Sequence, residues 1–260
     1  MSFRTLLLAA ALMLGLAATP AAADWRDQGA RSLIMTYRVR PADRVAFRAD
    51  VRAATLPRLA ALKAKGELAA YHVLANRYVD AAGWDVMVIL DFANPAALAH
   101  WRAVEDTAPA GLAPPALTLV SRAETAPSDQ MFARAAPAKA DDPAPVYLVV
   151  PYDYLVGVDD YLAYVKGYLV PQTDGWLEAG ALSSYAVYLP RYPAGRDWTS
   201  LLVLAYRGDE GLARRDATTK AVRTRLAATS PEWKAFADNK QSIRTEKQPV
   251  VADELLPGRP

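Results

Sequence analysis

Cysteine and histidine, the side chains most used for nucleophilic, metal-binding and neutral-pH proton chemistry, are scarce in this chain. Its 260 residues include no cysteine and only two histidines, His72 and His100. Disulfides, thiolate nucleophiles and thiolate metal sites are therefore excluded, and two histidines are too few for a His-rich metal site. His72 lies in a run of strand-forming residues. An imidazole facing a cavity there is a candidate general base near neutral pH; the competing reading is a solvated or internally satisfied histidine. His100 stands beside Trp101 on a helical stretch, where a solvated position is expected. Arg77-Tyr78 and Arg191-Tyr192 are candidate ligand contacts, because guanidinium binds oxyanions bidentately. They are equally readable as structural caps, which the presence of two copies favours. Trp84 and Trp198 are candidate cavity-lining aromatics or plain core residues. Tyr152 shares a strand face with Tyr154 and is a further cavity candidate. No G-x-S-x-G, P-loop, dinucleotide fingerprint or H-E-x-x-H occurs. No metal ligand set and no cofactor are expected.

Most of these candidates come in pairs because the chain is duplicated. Gly66 to Ala99 reads GELAAYHVLANRYVDAAGWDVMVILDFANPAALA, and Gly180 to Ala213 reads GALSSYAVYLPRYPAGRDWTSLLVLAYRGDEGLA. One ungapped offset of 114 residues relates them (180 − 66 and 213 − 99). It superimposes Tyr71 on Tyr185, Arg77-Tyr78 on Arg191-Tyr192 and Trp84 on Trp198, a coincidence that marks two copies of one unit. Pro57 and Pro171 obey the same offset. His72 does not repeat: its counterpart is Ala186.

The elements that must position these residues follow from periodicity. Ser32 to Val39 reads as a strand, and Ala42 to Lys65 as a helix that Pro57 should break near Leu56. Gly66 fits the residue just past that helix. Tyr71 to Tyr78 and Trp84 to Phe92 read as a hairpin. Asn94-Pro95 reads as a helix start, with Leu98, Trp101 and Val104 on one face. Ala116 to Glu124 reads as a fourth strand. The second copy repeats the order. Pro145 to Tyr154 is a strand, and Val158 to Ala179 a helix whose Tyr161, Tyr164 and Tyr168 form a packing face. Leu182 to Leu189 and Trp198 to Tyr206 form the hairpin. Asp209 should cap a helix over Glu210 to Thr229; a short helix starts at Ser230-Pro231, and Ser242 to Val251 is the last strand. The predicted organisation is a signal segment over 1–23, a first repeat over 24–125, an Ala/Pro-rich linker over 126–144 and a second repeat over 145–260.

A β-α-β-β-α-β unit is the ferredoxin-like arrangement, an antiparallel sheet with both helices on one side. The open face of such a sheet should be polar. Here Val86, Val88 and Leu90 alternate with Met87 and Ile89, so both faces are apolar. The expected fold is α+β: two tandem ferredoxin-like repeats packed sheet to sheet as a barrel with the helices outside. The duplicated hairpins GELAAYHVLANRY and GALSSYAVYLPRY, with the helix starts after them, resemble the dimeric α+β barrel superfamily in a tandem single-chain form. The resemblance implies a sheet-lined cavity. It is compatible with cofactor-free monooxygenases, muconolactone-type isomerases, haem peroxidases, chlorite-decomposing enzymes and members without known activity. The haem enzymes imply a proximal histidine in the second unit, and this second unit has none.

The hydrophobic share of 53% and charged share of 22% are those of a globular protein, and a formal net charge of +2 without basic runs gives no footprint for nucleic acid. Arg4, the apolar Leu6–Leu16 run and Ala21-Ala22-Ala23 form an export-signal pattern with cleavage near Ala23. The expected product is periplasmic or secreted, with no membrane association after cleavage; its oligomeric state is left open. Three functions fit: a barrel of unknown activity that binds a small apolar or aromatic ligand or acts without catalysis; a cofactor-independent monooxygenase or isomerase acting on a small aromatic or lactone substrate; and a pigment- or haem-binding barrel, which the lack of a histidine in the second unit disfavours. The second requires a titratable group such as His72 facing a cavity of a few hundred Å3 or more.

Overall fold

The computed structural model describes residue 26 and residues 30–138 and 140–256; the expected signal segment lies outside them. The first repeat runs β1 (Ser32–Val39), α1 (Arg44–Asp50), α2 (Leu56–Ala64), β2 (Leu68–Asn76), β3 (Val86–Phe92), α3 (Pro95–Thr107), α4 (Pro114–Leu119) and β4 (Val120–Ala135). The second runs β5 (Val146–Tyr154), α5 (Val158–Tyr164), α6 (Val170–Glu178), β6 (Leu182–Pro190), β7 (Ser200–Tyr206), α7 (Gly208–Ala213), α8 (Arg215–Thr229), α9 (Pro231–Ile243), β8 (Arg244–Glu246) and β9 (Val250–Glu254).

The expected helix break at the shared proline does not occur. A π-turn at Val51–Thr55 joins α1 to α2, and one at Val165–Leu169 joins α5 to α6. Leu56 N–H donates to the Val51 carbonyl, and Val170 N–H to Val165. The wide turn shifts the carbonyl ladder by one residue just where proline lacks an N–H and its ring would collide with a carbonyl. Both helices then end alike. Gly66 and Gly180 have φ of +76° and +72°. Glu67 N–H reaches back to Leu62 and Ala181 N–H to Trp176, the hydrogen bonds of a Schellman stop. Asn94 caps α3 by accepting from Ala97 N–H at 2.9 Å, and Ser230 caps α9 by accepting from Trp233 N–H at 3.1 Å.

Among the described residues, eight of nine strands close into an antiparallel barrel in the order β1-β3-β2-β9-β5-β7-β6-β4 and back to β1. β8 pairs with the far end of β5. Each repeat's last strand has two partners: β4 pairs with β1 of its own repeat and β6 of the other, and β9 with β5 of its own and β2 of the other. The two sheets therefore share edges as well as a common interior.

This pairing explains where the sequence reading departs from the fold. Residues 126–135, expected as linker, are the second half of β4. Their Ala/Pro composition looks unstructured, but tertiary pairing, with β1 as far as Ser128 and with β6 from Ser128 to Ala135, overrides propensity. The expected strand at Ala116 is the short helix α4, and β4 starts at Val120. The last expected strand divides into the end of α9, β8 and β9. Asp209 caps no helix: α7 has Arg207 at its cap position, and Asp209 pairs with Arg77.

Alternate strand residues separate three apolar layers. Val73, Ala75, Val86, Val88 and Leu90 pack under the first repeat's helices with Phe47, Leu56 and Trp101. Val187, Leu189, Leu202 and Leu204 pack under the second repeat's helices with Tyr161, Tyr164 and Trp233. Ile34, Leu74, Met87, Ile89, Val149, Leu201 and Val203 fill the barrel.

Outside each seam stands one of the duplicated arginines. Arg77 makes a bidentate pair with Asp253 on β9 (2.6 and 3.1 Å) and also pairs with Asp209. Arg191 makes a bidentate pair with Asp129 on β4 and donates to the Arg26 carbonyl at 2.7 Å. Arg77 N–H bonds the Val251 carbonyl and Arg191 N–H the Pro127 carbonyl, so the two clasps are equivalent in backbone as well. The Arg191–Asp129 side chains are only 12% and 10% exposed, whereas Asp253 and Asp209 are 50% and 75% exposed. Breaking a buried pair strands a charge, while an exposed pair contributes little. Arg191→Ala should therefore cost about 3 kcal/mol and Arg77→Ala about 1 kcal/mol or less, read from urea-denaturation midpoints. Equal costs would contradict this account of the seams.

Candidate functional site

The pseudo-two-fold axis relating the repeats runs along the barrel, so both copies of an inward residue meet at the same mouth. Trp84 and Trp198 line one cavity of about 470 Å3. His72 and its counterpart Ala186 line another, of about 350 Å3.

The Trp mouth takes the duplicated tryptophan from each repeat. Trp84 and Trp198, each 8% exposed, stand with Met87, Leu201, Val250 and Pro151 around its apolar part. Arg38, Arg122, Glu124, Asp197 and Lys247 supply its charged rim. Arg122 pairs with Glu124, and Lys247 with Asp153 at 2.7 Å.

At the other mouth the duplication breaks down. His72 on β2 faces Glu254 on β9, with Nδ1 at 2.8 Å from Oε1. The Tyr147 hydroxyl donates to the other Glu254 oxygen at 3.0 Å and lies 3.3 Å from His72 Nδ1. With Glu254 ionised, His72 donates from Nδ1, which leaves Nε2 as the basic nitrogen. Nε2 has no hydrogen-bond partner among the described residues. Around the cavity stand Ile89, Ala133, Ala186, Tyr188 and Val203. A second polar cluster adjoins. Asp91 accepts from Ser32 at 2.6 Å and from Tyr188 at 3.0 Å, and Tyr188 accepts from Gln130 at 2.9 Å. Burial raises the phenol pKa of Tyr147 and Tyr188, and the adjacent carboxylates raise both further. Both remain neutral donors at neutral pH. A hydrogen-bonded histidine, two carboxyls and two neutral phenols beside an apolar cavity can exchange protons with a bound molecule.

The structure sorts the residues singled out in the sequence. His72 reaches a cavity, and Trp84 and Trp198 reach a different one. Arg77 and Arg191 do not face a cavity, because their guanidinium groups are spent on the seams. Tyr78 and Tyr192, 62% and 71% exposed, point to solvent beside them. Tyr152 is also misplaced by the sequence reading. It is buried between sheet and helices, with the Arg244 guanidinium 3.9 Å above its ring, and Tyr154 stacks on Tyr161 at 5.0 Å. Strand parity sends both tyrosines to the helix side; the inward tyrosine of β5 is Tyr147. His100 is exposed on α3.

Sequence reasoning missed Tyr147, Tyr188, Asp91 and Glu254. A signal was available for Asp91, a lone acid in the apolar run VMVILDF whose counterpart is Ala205. Glu254 gave a similar one. The two seams equate β9 with β4 at an offset of 124 (251 − 127), which sets Glu254 against Gln130. Among the described residues, no group of three or more His, Cys, Asp or Glu is placed to hold a metal ion.

No protein-family model matches this sequence, and no curated protein matches it. Solved structures do match its fold. One is a protein from Lactobacillus acidophilus NCFM provisionally named a monooxygenase, with a TM-score of 0.54 at 10% identity, covering 87% of this chain and 94% of that one. Another is a provisionally named monooxygenase from Fusobacterium nucleatum, with a TM-score of 0.53 at 10% identity, covering 86% and 92%. A third, an anthrone oxidase-like protein, has a TM-score of 0.53 at 8% identity, covering 86% and 90%. At these identities the likeness is one of fold, a mixed α+β chain with a closed antiparallel barrel.

Asp91 gives a measurable pH dependence. Its carboxyl pKa is raised above 3.8, first by burial, against the lowering effect of the Ser32 and Tyr188 hydrogen bonds and of His72. Above pH 3.8 the unfolded chain releases this proton more readily than the folded one, so the group's contribution to stability falls as pH rises. Asp91→Asn removes that dependence, at the constant cost of one lost acceptor. The stability of the wild type relative to Asp91→Asn should therefore decline between pH 3.8 and the raised folded value and then level off. Urea melts at a series of pH values check this; a difference that grows with pH would refute it.

Proposed function

We propose that this protein takes up a small aromatic or otherwise largely apolar molecule at the His72 mouth and removes a proton from it there, as a monooxygenase or isomerase that relies on its own side chains. The observation that carries this reading is His72, oriented through Nδ1 by Glu254 and set at a cavity of about 350 Å3. In this reading Nε2 accepts a proton from an acidic C–H or O–H bond, and Glu254 stabilises the imidazolium that forms. The electron pair stays on the substrate. In an isomerase the proton returns to another carbon. In a monooxygenase dioxygen reacts with the anion, and one oxygen atom enters the product while the other leaves as water. The same barrel likeness supports placing the chain in the dimeric α+β barrel superfamily, and the 1–23 pattern supports export. A second reading, ligand binding without turnover, is supported by the apolar lining of both mouths.

A panel of anthrones and hydroxylated aromatic compounds separates the two readings. Exchange of the acidic hydrogen for deuterium and oxygen uptake report chemistry; calorimetry on the Trp198→Ala background reports binding at this mouth. His72→Ala should keep binding and lose about 10²- to 10³-fold in exchange rate. Glu254→Gln should lose less, because Nε2 remains in place and only the carboxylate that stabilises the imidazolium is removed. Saturable binding with no exchange by the wild type leaves the ligand-binding reading.

A further inference from the structure

The Trp mouth carries a separate assignment. Its apolar part presents two indoles, one from each repeat, and its rim presents two arginines on the inner faces of adjacent strands, Arg38 on β1 and Arg122 on β4. The group between these arginines is the Asp197 carboxylate, 3.4 Å from Arg122 Nη2 and 3.7 Å from Arg38 Nη2. Both separations exceed those of a charge-assisted hydrogen bond, so Asp197 sits near both guanidiniums without engaging either fork. Its side chain is 54% exposed, and such pairs contribute little to stability. The backbone around it is held independently: the Asp197 carbonyl accepts from Lys247, which also pairs with Asp153. Only the carboxylate has to move for the space between the arginines to open.

We infer that this cavity binds a flat aromatic monoanion, with its ring against Trp84 and Trp198 and its carboxylate between Arg38 and Arg122, and that Asp197 is an internal stand-in for that carboxylate. The charges agree. Arg38, Arg122 and Lys247 face Glu124 and Asp197, and displacing the Asp197 carboxylate leaves two arginines with one nearby acid, Glu124. A ligand carboxylate then supplies the second, with the bidentate geometry that Asp197 does not reach. A neutral ring gains the indole contacts but cannot replace Asp197. A dianion exceeds the charge released. The assignment uses none of the His72 residues and is read by binding alone, so it stands or falls separately from the proton-abstraction reading.

The test uses naphthalene-2-carboxylate and naphthalene-2-carboxamide, two probes of one shape and different charge, titrated against the whole chain by calorimetry and tryptophan fluorescence. The acid should bind more tightly than the amide. Asp197→Asn keeps the side-chain shape and removes the competing charge, so it should tighten the acid about fivefold and leave the amide unchanged. Arg122→Gln should weaken the acid alone, whereas Trp198→Ala should weaken both probes. Equal affinities for the two probes, no tightening in Asp197→Asn, or no saturable binding up to about 1 mM would each overturn the assignment.

Discussion

The rest of the structure depends on an exchange of strands. Each repeat holds its first three strands to itself and shares its last, β4 or β9, with the open edge of the other. That exchange closes the barrel and removes every long free edge from it. It also accounts for strands that are apolar on both faces: one face lies under the helices and the other lies inside the barrel. A repeat without its partner would expose an oily inner face and an unpaired edge strand. The duplicated arginines serve this closure. Each pins the other repeat's last strand from outside, and each finds its aspartate at an equivalent place because the two seams are equivalent.

Closure on a two-fold axis constrains where function can lie. At the Trp mouth the cavity is flanked by the same aromatic twice, while both rim arginines, Arg38 and Arg122, come from the first repeat. At the His72 mouth the copies disagree, and the disagreement is complementary. Histidine, Asp91 and Glu254 occur where the other copy has Ala186, Ala205 and Gln130. The titratable groups come from both repeats, His72 and Asp91 from the first and Glu254 from the second, and Ala186 lines the cavity beside His72. Every polar group at this end of an apolar interior must be desolvated and then satisfied, and the hydrogen bonds of Glu254 and Asp91 do so.

The helical layer holds this end in place indirectly. Tyr161, Tyr164, Tyr168 and Trp233 stack in succession beneath the second repeat's helices. Arg244 on β8 donates to the Tyr164 hydroxyl at 2.8 Å and covers Tyr152. That anchors the start of the C-terminal segment whose later strand, β9, delivers Glu254 to His72. The π-turns matter for the same reason: they let each proline-bearing helix run on continuously, so an unbroken helical layer covers the sheet.

The sequence by itself determined the duplication, the α+β class, the outward helices and the shared barrel, because an ungapped repeat and the two-residue and 3.6-residue apolar periods are local properties of the chain. It also singled out His72, the histidine that breaks the repeat. Only the tertiary structure decided that residues 126–135 are strand, since their pairing partners lie in the other repeat. Only the tertiary structure set Glu254 against His72, across 182 residues of chain. The same is true of Tyr152 and Tyr147, whose opposite destinations depend on which strand parity faces inward, and of Arg77 and Arg191, whose aspartates lie on strands lent from the other half. Local pattern tells which residues share a face; long-range pairing decides what that face meets.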